Sequence, residues 1–383
     1  MLEKVSQCSG IAIRYIGGAQ RQAILTSKPV IVIIGSDSMR KEVFAGRGSI
    51  QVAIAQVTPV FFNKQQTIEK AVHYIHEAGS KGADLVVFPE SYIPAYPYWQ
   101  QGPNDNAAEW FDVHVNFQDQ ALVVHSEDTD ILGQAAKSAG VHLVMGCTEL
   151  DDAVGSRTLY NTMLYFDRSG MLYGRHRKVM PTNQERTFHG RGDGGDNLKV
   201  YGTDIGRIGG LVCWENHMIL VRALMAFQGE ELHIATWPGT WSNMPTPEMT
   251  LGDHEGKNPQ SYNTSDIEPA IRAHAFEAQS FVISACGYQP TDTVPDSFPY
   301  KQRTNWDWAN GGSSIVDPYG NYVVEPVYDK EALIVAELDG SLIKAAKNMF
   351  DLLGHYSRPD LVQLKYNTRK NEYLVAMDED TRK

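Results

Sequence analysis

Short apolar strand runs alternate with helical stretches along almost the whole chain, and this alternation restricts the fold more than any other feature. Ile50-Gln51-Val52-Ala53-Ile54-Ala55-Gln56 alternates as a strand should. From Asn63, an N-cap residue type, Ile68, Ala71, Val72, Ile75 and Ala78 recur at helical spacing up to Gly79. Asp84-Leu85-Val86-Val87-Phe88 then reads as a fully buried strand that delivers Pro89-Glu90 at its end. A Tyr/Pro/Trp-rich loop over residues 92–101 follows, then a predicted helix over 130–140 and a strand over 141–148. Strands are also predicted over 159–166 and 171–173, split by the turn Asp167-Arg168-Ser169-Gly170. A strand over 203–210 precedes a helix that starts near Ile219. The strand 232–236, the helix 267–280, the strand 281–286, a strand pair around Asp317-Pro318-Tyr319-Gly320 and the strand 332–338 complete the series. The implied class is layered α/β. Internal repeats and composition shifts that would mark a second domain are absent from the sequence. Residues 1–48 lack clear periodicity and are expected to form an N-terminal extension, flexible or peripherally packed. Residues 242–266 are polar and rich in Pro, Asn and Gly, so a long loop is expected there.

Composition narrows the partners. The 383 residues are 42% hydrophobic and 21% charged, as in a soluble globular protein. A net charge of −12 argues against nucleic acid and other polyanions. The apolar run at residues 30–34 is too short to span a membrane and lacks the flanks of a signal peptide, so neither a membrane partner nor export is expected. Cys8, Cys147, Cys213 and Cys286 are widely spaced, without CxxC or Cys/His metal spacing. A reduced, cytoplasmic chain without a metal follows.

Leu211-Val212-Cys213-Trp214-Glu215-Asn216-His217 lies between the strand 203–210 and the helix beginning near Ile219. Cys213 thus sits at a strand end entering a turn, where a thiol can be exposed to substrate while backbone N–H groups face developing negative charge. Taken alone, a cysteine there is equally a small buried hydrophobe. A thiol attacks as thiolate, so a base and a cation nearby both help it. Glu90 supplies the base and Lys178, in Arg175-His176-Arg177-Lys178-Val179-Met180-Pro181-Thr182, supplies the cation. Individually, Glu90 also fits a loop hydrogen-bond acceptor and Lys178 a solvated basic face. Tyr96, Tyr98 and Trp99 after Glu90, and Trp237-Pro238-Gly239 after the strand 232–236, offer aromatic surface for an apolar substrate; core or subunit-contact roles fit them equally. His217 and His233 suggest a Cys–His dyad, which is unnecessary if Glu90 is the base. Gly190-Arg191-Gly192-Asp193-Gly194 lacks the ending of a phosphate loop and reads as a structural turn.

Together, Phe88-Pro89-Glu90, Arg177-Lys178-Val179-Met180-Pro181-Thr182 with Glu185-Arg186, and Cys213-Trp214-Glu215 closely resemble the motifs of the nitrilase superfamily of carbon–nitrogen hydrolases, in that family's order. The resemblance covers about residues 50 to 365. Cys-Trp-Glu, the Pro-Thr-x-x-Glu-Arg run, the Gly190 to Gly194 stretch and Gly354-His355-Tyr356-Ser357-Arg358-Pro359-Asp360 resemble the nitrilase branch more than the amidases. The resemblance implies an α-β-β-α sandwich over residues 49–365 that stacks with a second copy into four layers. It also implies homo-oligomers that extend into spiral filaments; the chain departs from the family in its short C-terminal end after Asp360, with a tail at 366–383, a segment that affects assembly in the family. The resemblance further implies Glu90 as general base, Cys213 as nucleophile, Lys178 as stabiliser of tetrahedral intermediates, and Glu185 positioning substrate and the lysine. Trp214, Tyr96 and Trp237 become candidate substrate contacts. The implied reaction turns an organic nitrile into carboxylic acid and ammonia with no cofactor. Alternatives are a cyanide-degrading or amide-hydrolysing relative with the same triad, and, from another class, a non-catalytic scaffold that keeps the fold.

Overall fold

A computed structural model describes residues 42–101, 106–195, 197–239, 266–301 and 309–371. The expectations for residues 1–41, for the 242–266 loop up to residue 265, and for 372–383 fall outside these residues. Two mixed sheets carry the fold. The first is built from β1 (Ser49–Gln56), β2 (Leu85–Val87), β3 (Leu122–Val123), β4 (His142–Leu150), β5 (Leu159–Phe166), β6 (Leu172–Arg177) and the late strand β13 (Ala332–Asp339). Its order is β13-β1-β2-β4-β5-β6, with β3 pairing with β4. The second contains β7 (Tyr201–Thr203), β8 (Gly206–Val212), β9 (Leu232–Trp237), β10 (Phe281–Cys286), β11 (Gly311–Val316) and β12 (Tyr322–Tyr328), ordered β12-β11-β10-β9-β8-β7. In each sheet the central strands are parallel, β1-β2-β4 and β8-β9-β10, and the outer pairings β13-β1, β4-β5, β7-β8 and β10-β11 are antiparallel.

The period of two along β1 explains the layering. Val52 and Ile54 point into a core shared with Ile208, Val212, Leu232, Ile234 and Phe281 of the second sheet. Ala53 and Ala55 point the other way, onto Ile68, Ala71 and Ile75 of α1 (Lys64–Ser80) and Leu132, Ala135 and Ala136 of α3 (Glu127–Ala139). The far side of the second sheet is covered by α5 (Ile267–Ala278), following α4 (Ile219–Phe227) in the chain, through Ile267, Ile271 and Ala275. The order of layers is therefore helix, sheet, sheet, helix. No helix among the described residues is long and apolar enough to cross a membrane.

Helix α1 starts where the sequence places it, because the Asn63 side chain accepts from Gln66 N at 3.0 Å. Helix α3 begins at Glu127, three residues before the predicted start at Asp130. Its first turn is acidic, Glu127, Asp128 and Asp130, which suits a helix N-terminus but hides the apolar period. Strand β6 runs on to Arg177, beyond the predicted Tyr173, because the charges of Arg175 and Arg177 are met by buried Glu149 at 2.6–2.9 Å. The predicted strand 203–210 is a hairpin, β7 turning into β8 at Thr203↔Gly206. Two helices lack a sequence expectation, α2 (Ala107–Asp119) and α6 (Gly340–Met349). The compact unit begins at Glu42, inside the expected extension. Phe44 is fully buried with its ring 6.0 Å from that of Phe281. At the other end, Asn371 N donates to Asp193 Oδ2 at 2.6 Å, so the start of the expected tail lies along the glycine-rich turn.

Candidate active site

Parallel strands leave their C-terminal ends as the natural place for a site, since the loops that follow are free to present side chains. Glu90 follows β2, Lys178 follows β6 and Cys213 follows β8. The first two belong to one sheet and the third to the other. The Lys178 ammonium donates to Glu90 Oε1 at 3.0 Å and to Glu185 Oε1 and Oε2 at 2.9 and 2.8 Å. The sulfur of Cys213 and carboxylate oxygens of Glu90 and Glu185 all lie within 4.8 Å of one another. All four side chains are buried. The Lys178 ammonium already bonds to both carboxylates, so the positive charge a metal would bring to these ligands is present in the protein itself.

Neighbours fix the pieces. Asn161 on β5, which the sequence gives no reason to single out, donates from Nδ2 to Glu90 Oε1 at 2.6 Å. Glu90 Oε2 has no hydrogen-bond partner among the described residues. Tyr96, expected as a pocket aromatic, donates its hydroxyl to Glu185 Oε1 at 2.6 Å and itself accepts from Gln100 Nε2 at 3.1 Å. Glu185 Oε2 accepts from Thr182 N at 3.1 Å, capping the short 3-10 turn Asn183–Thr187. Glu215 ties the flanks together: Oε1 accepts from Val179 N at 2.6 Å, and Oε2 accepts from Val212 N at 2.7 Å and pairs with His176 Nε2 at 2.8 Å. One carboxylate thus holds the residue after Lys178 and the residue before Cys213. Backbone strain gathers here, with φ of +45° at Ser91, +43° at Asn183 and +55° at Cys213. Left-handed backbone is costly for residues with a Cβ, by about 1–2 kcal/mol each, and persists where the surroundings hold it.

Burial and charge divide the protons. Burial, opposed by Lys178 and reinforced by the negative charge of Glu185, pushes the Glu90 carboxyl up to about 7. Glu185 is held below the usual carboxylate range: burial would raise it, and Lys178, His189 and its hydrogen bonds outweigh that. Burial disfavours a charged Lys178, but Cys213, Glu185 and Glu90 keep its ammonium well above the ordinary lysine value. Burial and Glu90 raise the Cys213 thiol well above its ordinary value, with Lys178 pulling the other way. At rest the site therefore holds a thiol, an ammonium, an ionised Glu185 and a Glu90 poised near neutrality.

A narrow cleft reaches the cluster at Glu90 and is lined by Glu90, Tyr96, Tyr98, Gly287, Tyr288 and Gln289 among others; Cys213, Lys178 and Glu185 lie behind this wall. Tyr96 is in its wall. Trp214 is 39% exposed and meets the ring of His217 edge-on at 5.5 Å, while Trp237 is fully buried on the other side of His217, 5.9 Å away. Neither tryptophan is in the cleft wall: the side chain of Trp214 leaves the Cys213 turn toward solvent, and Trp237 is buried at the end of β9. His233 is engaged elsewhere, with Nδ1 paired to Glu230 Oε2 and Nε2 to Asn216 Oδ1, both at 2.9 Å, and His217 pairs with Asp266 at 3.3 Å. The other described cysteines, Cys147 and Cys286, are buried with raised thiol values and lie outside the Glu90, Lys178 and Glu185 cluster.

A buried carboxylate, ammonium and thiol at the strand ends of two packed sheets agree with the outcome of comparison with known proteins. The family model for carbon-nitrogen hydrolases matches residues 51–348. The chain belongs to the carbon-nitrogen hydrolase family. Among curated relatives, this hydrolase is 34% identical over 334 residues to nitrilase 2 of an unknown prokaryotic organism, covering 87% of this chain and 97% of that protein. It is 35% identical to an aliphatic nitrilase of Sinorhizobium fredii (85% and 98%) and 34% identical to nitrilase 2 of Arabidopsis thaliana (83% and 88%). Among solved structures it is similar in fold to Nit3 of Saccharomyces cerevisiae, a member of the nitrilase superfamily, with TM-score 0.57, 21% identity and coverage of 81% and 97%. An amidase from Nesterenkonia sp. is similar in fold at TM-score 0.54 and 17% identity (78% and 94%). The chain is thus a carbon–nitrogen hydrolase of the nitrilase superfamily, and the scaffold alternative falls away.

Proposed function

We propose that this hydrolase converts an organic nitrile into its carboxylic acid and ammonia, with Cys213 as nucleophile. The observation that carries this reading is the approach of Cys213 Sγ to within 4.8 Å of Glu90 and Glu185, with the Lys178 ammonium bonded to both carboxylates. Similarity to curated nitrilases supports the substrate class.

In this mechanism Glu90 takes the thiol proton as sulfur adds to the nitrile carbon, and that proton passes to the nitrile nitrogen, giving a thioimidate. Glu90 next deprotonates a water that adds to the thioimidate carbon, and Lys178 stabilises the charge on the tetrahedral centre. Protonated nitrogen leaves as ammonia and a thioester remains. A second water, again activated by Glu90, adds to the thioester; the thiolate leaves and is reprotonated. The sum is one nitrile and two waters to one acid and one ammonia. Glu185, fixed by Lys178, Tyr96 and Thr182 N, positions the ammonium and the substrate.

The second reading is action on an amide or on cyanide with the same groups, favoured by the fold likeness to an amidase. Supplying a nitrile, the corresponding amide and cyanide side by side, with ammonia and acid quantified, separates the two. Acid from nitrile is expected; ammonia from the amide without any turnover of nitrile overturns the main reading. We further infer self-association, into pairs and then spirals, supported by Ile219, Leu220 and Phe276, which leave apolar surface exposed on α4 and α5. Three unpaired, buried cysteines suit a reducing, cytoplasmic setting.

A further inference from the structure

The short turn Cys213–His217 must hold a cysteine in left-handed backbone, φ +55°, and the nearest reason it can do so is Asn216. Asn216 Nδ2 donates to the carbonyl of Cys213 at 2.9 Å and to that of Leu211 at 3.3 Å, bracketing the strained residue. Two carbonyl oxygens on one side fix which end of the amide is the NH2. Asn216 Oδ1 therefore faces His233 Nε2, 2.9 Å away, and Nε2 must carry the proton that joins them. The other ring nitrogen, Nδ1, lies 2.9 Å from Glu230 Oε2. Glu230 in turn meets His274 Nε2 of α5 through Oε1 at 2.5 Å.

His233, on β9, is fully buried, as are Glu230 in the turn before β9 and His274 to within 3%. Isolated burial of a carboxylate and an imidazole is unfavourable, so the group persists as a mutually satisfied set. The two histidines hold the Glu230 carboxyl down at about 2 against the effect of burial, and burial together with His233 holds His274 at about 4. Both ring nitrogens of His233 face oxygen atoms, Glu230 Oε2 and Asn216 Oδ1, so the ring is held between the carboxyl and the amide. The bonds from Glu230 to the two rings, at 2.9 and 2.5 Å, are direct contacts without the spacing of ligands around a shared cation.

We propose that Glu230 and His233 are positioning residues for the nucleophile. Through Asn216 they lock the Cys213 carbonyl, and with it the backbone that aims the sulfur at Glu90 and Lys178. His274 completes the set from α5. This rests on the assignment of Cys213 as nucleophile, and the test is chosen to be independent of the substrate. Alkylation of Cys213 by iodoacetamide, followed by peptide mass spectrometry, is measured beside kcat and KM, with all rates referred to the fraction folded by circular dichroism. Asn216→Asp keeps the contact to His233 and removes both donations to the turn. His233→Leu removes the chain at its centre, whereas His233→Gln keeps a donor where Nε2 lies.

Asn216→Asp and His233→Leu are expected to lower kcat and slow Cys213 alkylation by roughly 10²-fold, the scale of a small misplacement of a reacting group, with KM little changed. His233→Gln is expected to recover about tenfold of the loss. Alkylation at the wild-type rate in folded Asn216→Asp or His233→Leu, a change in KM with kcat intact, or His233→Gln behaving like His233→Leu would each overturn the proposal. Where His233→Leu does not fold, Glu230→Gln keeps the volume and removes the charge; about tenfold slower alkylation is expected from it, and an unchanged rate rejects the idea. A wild-type protein that alkylates at Cys213 but hydrolyses no nitrile sinks the proposed reaction and leaves this inference standing.

Discussion

A carboxyl poised at about 7 is a base that can both take and return a proton near neutral pH, and Glu90 is in that state because it is buried beside one cation and one anion. Its working form is the ionised one, populated above that value, so kcat/KM for nitrile is expected to rise as pH climbs through about 7. A pH–rate profile that is flat between 6 and 8, roughly one unit either side, counts against Glu90 as base. Glu90→Gln is expected to lower kcat by about 10²–10⁴-fold. Cys213→Ala is expected to abolish turnover while the far-ultraviolet circular dichroism stays that of the wild type; measurable hydrolysis would refute the nucleophile assignment. At this scale Glu90, Lys178, Glu185 and Cys213 are singled out by motifs that together resemble those of the family, each being ambiguous alone, and the structure brings the four side chains together. The sequence does not disclose Asn161, a lone amide inside the otherwise apolar-looking strand β5, whose use is set by a contact 71 residues away. Nor does it show that Tyr96 serves Glu185 through its hydroxyl, since an aromatic in a Tyr/Pro-rich loop carries no sign of its partner.

Strands and turns place these residues, and two features of single elements can be tested alone. Gly146 on β4 passes so close to the loop carrying Glu90 that a Cβ there would come within 1.8 Å of Pro89 O and 3.0 Å of Glu90 Cα. Gly146→Ala is therefore expected to displace the Glu90 loop and reduce kcat by an order of magnitude or more, roughly the effect of misplacing a reacting group by a fraction of an ångström. Wild-type kinetics in this variant would show that the loop adapts without consequence. Glu215→Gln leaves one of the strand-end N–H groups without its acceptor, and is expected to lower stability by about 1–3 kcal/mol in urea unfolding. Elements were legible where one signal dominated. The Asn63 cap marks α1, and the run Phe281–Cys286, apolar apart from Ser284, marks β10. They were obscured where tertiary partners override local character. Strand β6 looks charged until Glu149 is seen to neutralise Arg175 and Arg177, and Glu215 to pair with His176 Nε2. Helix α2 mixes exposed Phe111 and Val115 with buried Val113 and Phe117, which blurs its period.

Among the described residues, the helices that cover the second sheet expose apolar side chains: Ile219 is 71% exposed, Leu220 69% and Phe276 56%. Exposed apolar side chains on two helices that cover one sheet are the material of the proposed interface. Ile219→Asp with Leu220→Asp is expected to shift sedimentation toward the 42.7 kDa protomer; an unchanged profile counts against the proposed self-association through this surface. The division of labour between the sheets has a wider result. Glu90, the proposed base, and Lys178 are carried by one β layer and Cys213 by the other. In the proposed mechanism catalysis is thus a property of the docked pair, and no autonomous half of the fold can possess it. During refolding, hydrolytic activity should emerge only with the final mating of the two layers, later than the backbone spectrum recovers, and mild denaturant that loosens the seam between them should silence the enzyme while both layers still exist.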